Sequence, residues 1–210
     1  MHVLYYAPGS ASLLVHWLLI ELQLPHELRR LDLGARDHKQ PGYLALNPAG
    51  VVPTLVVDGK PMTEAAAIAA WLAEQHPEAG LAPAPGGPGR AAYLQWMFHL
   101  ANAVQPRLRL WWYPHEAAGE ARVDEARDTV RAEIEAAWAR IDAHLAAHGP
   151  CLLGGRECVA DFFLTMLMRW SRQMPRPAHD WPALGALAAR MKARASFREL
   201  YAREGLEEWA

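Results

Sequence analysis

The run PEAGLAPAPGGPGR, residues 77–90, divides this chain. Proline lacks the N–H that helix and sheet interiors need, and glycine loses most entropy on being ordered. A stretch this rich in both holds no regular element for long. It separates two rhythms. Before it, apolar runs of strand length alternate with helical ones. HVLYY suits a buried strand, and SLLVHWLLIELQL is long enough for a helix that Pro25 stops. HELRRLDL alternates like a second strand, and PGYLALNP reads as a short helix ending before Pro48. PTLVVDGKPM is a hairpin, because Asp58-Gly59 can take the positive φ angles of a type I′ turn. TEAAAIAAWLAEQH is a helix with Thr63 as its N-cap, ending at Pro77. The order is β-α-β-α-β-β-α.

After the divide everything is helical. RAAYLQWMFHLANAV is amphipathic, with Pro106 as a kink or break. EARVDEARDTVRAEIEAAWARIDAHLAAH carries apolar residues at helical spacing on a charged, solvated background, and Gly149-Pro150 ends it. ADFFLTMLMRWSRQM is nearly all apolar and reads as the buried central helix; two shorter helices follow. The expected class is α/β plus all-α. A domain over 1–78 is followed by a linker over 79–89 and a helical bundle over 90–210.

Hydrophobic residues make up 52% of the chain, enough for a sizeable core, and a formal charge of −2 does not suit a nucleic-acid surface. No apolar run reaches the ~18 residues of a membrane span, and the first residues carry no signal-peptide pattern, so a cytoplasmic protein is expected. Cys151 and Cys158 form no C-x-x-C motif and read as buried thiols. His144 and His148 share a helical face but lack a third ligand nearby, so no metal is expected.

Three motifs, LYYAPGSASL, NPAGVVPTLVVDG and TEAAAIAAWLAE, come in order in the first domain, and CVADFFL lies in the second. In that order and spacing the chain resembles the cytosolic glutathione S-transferase superfamily, closest to its bacterial beta class. The resemblance spans nearly the whole chain. It implies a thioredoxin-like first domain, glutathione as cosubstrate, a small hydrophobic electrophile as second substrate, a homodimer, and a role in detoxification. It implies a cis bond at Val52-Pro53, with the Val52 N–H and C=O pairing with the extended tripeptide as one more strand would. It places the Glu64 carboxylate against the γ-glutamyl ammonium, and the γ-glutamyl carboxylate on backbone N–H groups at the same helix start. Ala65 stands where many relatives carry serine, so its N–H remains and a hydroxyl contact is lost. In CVADFFL, Asp161 reaches back across the helix start as in a capping box, with Cys158 in place of the usual hydroxyl.

The beta class carries a cysteine in the first turn; here the position is Ala11, so no mixed disulfide forms there. Related classes hold the glutathione thiolate with a hydroxyl near this point. Ser12 is the first candidate, with Ser10 and Tyr5 as the others. Both serines are also good N-cap residues. The class histidine on the first long helix of the second domain aligns with Gln105, which cannot accept a proton at neutral pH. By analogy that helix faces the second substrate, which adds Asn102 to the glutathione contacts and Trp111 and Trp112 to the electrophile's surroundings; packing of the tryptophans in the core or in a dimer contact is the alternative. Arg36 could pair with the glycyl carboxylate or simply be solvated. The implied function is addition of the glutathione thiolate to electrophiles. The alternatives are a non-catalytic carrier of glutathione, a hydrophobic ligand or a protein partner, and a glutathione-dependent isomerase.

Overall fold

The computed structural model describes residues 1–209. The chain forms two compact units, 1–80 with 192–208, and 81–191. In the first unit β1 (His2–Tyr6), α1 (Ser12–Glu21), β2 (His26–Arg30), α2 (Pro41–Leu44), β3 (Thr54–Val57), β4 (Lys60–Met62) and α3 (Ala65–Gln75) follow in the expected order. The sheet order is β2-β1-β3-β4. β1 pairs parallel with β2 (Leu4 opposite Leu28) and antiparallel with β3 (Leu4 opposite Leu55). At the hairpin, Asp58 and Gly59 have φ of 48° and 80°, the two positive angles a type I′ turn needs.

α1 is buried all round: Leu14, Val15, Trp17, Leu18 and Leu19 are 0% exposed. It packs on β1, on α3 and on α10 (Ala195–Glu204), the last helix of the chain. A helix apolar on every face needs such neighbours on every side. The boundary read from the sequence assigns α10 to the helical bundle, whereas its contacts are with α1. Trp17 Nε1 donates to Ser196 Oγ at 2.9 Å, and the Trp17 and Phe197 rings meet edge to face at 5.1 Å. Ser196 Oγ and the Arg194 guanidinium both donate to the Glu21 carboxylate.

That carboxylate carries a pH dependence. Burial raises its pKa, but the bonds from Arg194 and Ser196 and the Arg194 charge outweigh burial and hold it below the ordinary value of 4.5. A carboxyl depressed by folding stabilises in full above its unfolded pKa and loses that contribution as pH falls through the folded one. Wild type should therefore lose urea resistance between about pH 5 and about pH 3 more steeply than Glu21→Gln. Parallel declines in the two proteins would rule out this carboxyl as a source.

In the second unit α4 (Arg90–His99) leads into a π-helical turn (Leu100–Val104) and α5 (Gln105–Trp112). The irregularity expected at Pro106 thus falls one turn ahead of it. The proline has no N–H to give to the preceding turn, and in the same stretch the Arg107 side chain donates to the Ala103 carbonyl. A single turn, α6 (His115–Ala118), precedes α7 (Val123–His148), α8 (Val159–Trp170) and α9 (Pro182–Lys192). α8 is the buried helix anticipated from its sequence, with Phe162, Phe163 and Leu164 at 0% exposure. Its capping box is present: Asp161 accepts the N–H groups of Cys158 and Leu152, each at 2.8 Å. Among the described residues no helix is long and apolar enough to cross a membrane.

Candidate functional site

The segment between α2 and β3 is held by its own side chains. The Val52-Pro53 bond is cis. Lys39 Nζ donates to the carbonyls of Ala49 (3.2 Å) and Gly50 (2.7 Å). The Val51 carbonyl accepts from Tyr43 Oη (2.5 Å) and Asn47 Nδ2 (2.8 Å). Gly50 sits at φ 58°, where a Cβ would come within 2.8 Å of the His38 carbonyl, so no other residue fits without a shift. Val52 is the exception. Among the described residues its N–H and C=O enter no hydrogen bond within the chain, and it lies just before the paired part of β3. A half-buried residue with both backbone groups open is a place for another extended peptide.

α3 begins directly after the β3–β4 hairpin. Its N-cap is Glu64 rather than Thr63, and no side chain caps the helix. Among the described residues the first N–H groups, from Ala65 onward, thus have no side-chain cap, and they lie at the positive end of the helix dipole. Glu64 has φ 68° and ψ 104°, a conformation costing a non-glycine residue about 1–3 kcal/mol. Its exposed carboxylate makes no hydrogen bond among the described residues. An ammonium at the carboxylate and a carboxylate at the helix start would both be satisfied, which is the pattern of an α-amino acid head group.

At the start of α1 the two serines separate. Ser12 is 0% exposed, and its hydroxyl is used inside the turn: it accepts the Ala7 N–H at 3.2 Å and lies 3.1 Å from the Ala7 carbonyl and 2.8 Å from Ser10 Oγ. Ser10 is half-buried, and its hydroxyl also reaches the Ala7 carbonyl at 2.7 Å. Ser10 and Ala11 are half-buried at this turn, whereas Ser12 is closed off from solvent. The burial of Ser12 follows from the α1 face it occupies and was not visible in the local pattern. Tyr5 is half-buried, and its hydroxyl accepts from Arg29 Nη1 at 3.0 Å.

Two residues that sequence reasoning missed hold this turn. Glu204, near the end of α10, accepts the Gly9 N–H at 2.8 Å through Oε2 and the His16 Nδ1–H at 2.8 Å through Oε1; the His16 and Glu204 side chains are 0% exposed. With the partners 188 positions apart, no spacing rule signals this pair. Tyr43 and Asn47 were also missed, although their i, i+4 placement in the short helix and its exit was there to read.

Arg36 is exposed at φ 61°. Asn102 is exposed in the π turn of the second unit. In the same unit Arg107 pairs with Glu133 at 2.7 Å, Arg109 forks onto Glu116, and Trp112 Nε1 donates to the Trp170 carbonyl at 2.9 Å. Cys151 and Cys158 are buried, and burial pushes both thiols above their ordinary pKa, away from the reactive thiolate.

The first unit is a thioredoxin-like domain with an open peptide edge at its cis-proline, and the second is helical: together, the architecture of the glutathione transferases. A profile described as "Glutathione S-transferase, N-terminal domain" matches residues 10–75. Glutathione S-transferase GST-4.5 of Xanthomonas campestris pv. campestris is 32% identical over 97% of this chain and 98% of its own length. The solved ternary complex of BphK, a bacterial glutathione transferase, superposes with a TM-score of 0.86 at 33% identity, covering 97% of this chain and 100% of BphK. A sphingomonad glutathione S-transferase solved with glutathione gives 0.86 at 30% identity, covering 98% and 100%. The chain belongs to the glutathione S-transferase family.

Proposed function

We propose that the protein binds glutathione at the Val52 edge and the start of α3, and transfers its thiolate to small hydrophobic electrophiles. The observation that carries this is the open backbone of Val52, found in the same compact unit as the uncapped, strained helix start at Glu64. The cysteinyl part of the tripeptide pairs with Val52. The γ-glutamyl ammonium meets Glu64, and its carboxylate meets the Ala65 N–H. Arg36 remains a candidate for the glycyl carboxylate.

The nucleophile belongs to glutathione. A free thiol has a pKa near about 8.5, so little is ionised at neutral pH. The Ser10 hydroxyl and the Ala11 N–H at the positive end of α1 favour the anion. The thiol proton leaves to water, the S–C bond forms, and a leaving group departs with its bonding pair. Ser12 braces the turn and does not touch sulfur. The missing cysteine at Ala11 fits this chemistry, since no protein thiol is needed. A cytoplasmic place is supported by the cosubstrate, the thiol that keeps that compartment reduced. A homodimer is supported by the family resemblance and by Phe98, an apolar side chain 62% exposed on α4. No step in this chemistry calls for a metal.

Calorimetry with glutathione and a conjugation assay on a nitroaromatic acceptor test it. Binding with turnover is expected; no heat at saturating glutathione removes the proposal, and binding without turnover leaves the carrier function. Ser10→Ala should raise the apparent pKa of the bound thiol in the pH–rate profile by about one unit, worth about 1.4 kcal/mol. Ser12→Ala should leave that pKa in place and lower the thermal midpoint, because it orphans the buried Ala7 N–H. The reverse pattern would restore Ser12 as the thiolate donor.

A further inference from the structure

We infer that Tyr43, Asn47 and Thr54 form a positioning device that aims the Val52 N–H at the bound peptide, and so govern affinity for glutathione without touching it. This rests on the function proposed above and adds three residues to it.

The protons in this cluster have one consistent assignment. The Val51 carbonyl can only accept, so Tyr43 gives it its single hydroxyl proton (2.5 Å) and Asn47 gives it one amide proton (2.8 Å). The second Asn47 amide proton goes to Thr54 Oγ1 at 3.2 Å. The Thr54 hydroxyl proton then goes to the Tyr43 oxygen at 2.8 Å. Asn47 Oδ1 accepts the Ala49 N–H at 3.1 Å, which fixes the amide's orientation. Tyr43, Asn47 and Thr54 are 5%, 3% and 0% exposed, so water does not compete. Burial also raises the Tyr43 phenol above its ordinary pKa, which keeps its proton in place.

Planarity carries this order to the ligand edge. The Val51–Val52 peptide is trans, so its C=O and N–H point in opposite directions. Two buried donors draw the Val51 oxygen inward, and the Val52 N–H of the same plane must then point out. A flipped peptide would offer a carbonyl where the ligand needs a donor. Lys39, holding the Ala49 and Gly50 carbonyls, restrains the two preceding peptides in the same way. Loosening the cluster lets the flipped form populate, and apparent affinity falls with the competent fraction.

The test uses Tyr43→Phe, which keeps the ring and its packing on Tyr5 (centroids 5.6 Å apart) but loses the proton, and Thr54→Val with Thr54→Ser as its conservative counterpart. Glutathione Kd by calorimetry and KM in the conjugation assay should rise roughly five- to tenfold in Tyr43→Phe and Thr54→Val, with kcat within about twofold. Thr54→Ser should return both to near wild type. A merely structural role lowers the thermal midpoint and leaves KM unchanged, and that result overturns the inference. If Thr54→Val does not fold, Tyr43→Phe alone decides. Binding by wild type together with equal binding by Tyr43→Phe sinks the positioning role only; no binding by wild type sinks the proposed function and this inference together.

Discussion

Glu204→Ala is expected to lower the thermal midpoint by about 6–12 °C and to raise the glutathione KM. The carboxylate is fully buried and accepts two N–H donors, one from the Gly9 backbone and one from His16. Removing it breaks both bonds, at about 1–3 kcal/mol each, and leaves a void beside the His16 ring. A total near 3 kcal/mol corresponds to that fall for a chain of this size. The KM effect has a different origin. Gly9 begins the turn that presents Ser10 and Ala11, and Glu204 is the tether between that turn and α10. Glu204→Gln should show a smaller loss, because its one oxygen still accepts one donor while its amide N–H₂ meets the other. A midpoint unchanged in Glu204→Ala would mean that neither bond contributes to stability.

Glu64→Ala should weaken glutathione binding about ten- to a hundredfold. A hydrogen bond to a charged group contributes about 1.5–3 kcal/mol, and in the proposed binding mode the carboxylate accepts from the ligand's ammonium. Stability should barely move, since Glu64 is exposed and makes no hydrogen bond among the described residues. Glu64→Gly separates the two roles further. At φ 68° glycine relieves the strain of the Cβ, and the added freedom of the unfolded chain opposes that gain by roughly 0.5–1 kcal/mol. The glycine variant should bind as weakly as the alanine variant and melt at or above its temperature. Calorimetry and a melting curve on the same samples decide. A Glu64→Ala protein that binds glutathione as tightly as wild type would remove this residue from the site.

Local features of the fold were legible. The Asp58-Gly59 hairpin, the Cys158–Asp161 capping box and the apolar α8 are all written in short windows, because each is held by neighbours in sequence. Val52, Glu64 and Ala65 were picked out by motif, and the structure adds the backbone of Val52, unpaired among the described residues, and the positive φ of Glu64. The burial of Ser12 shows the limit. Ser10 and Ser12 have the same chemistry and sit two residues apart, but only one faces the core, and that depends on which elements surround α1. Thr63 shows a smaller one: a helix boundary moved by one residue transfers the N-cap to a side chain that does not cap. The fastening of α10 onto α1 through Glu21, Trp17, Ser196 and Glu204 lies beyond any window, because it is set by how the chain returns, not by what flanks each residue.

That return has a consequence for synthesis. A ribosome delivers residues 1–80 long before residues 192–208, yet both belong to one compact unit. Until the later segment emerges, the nascent sheet carries α1 with its Trp17 flank bare and Gly9 untethered, and this apolar stripe is what a chaperone would grip.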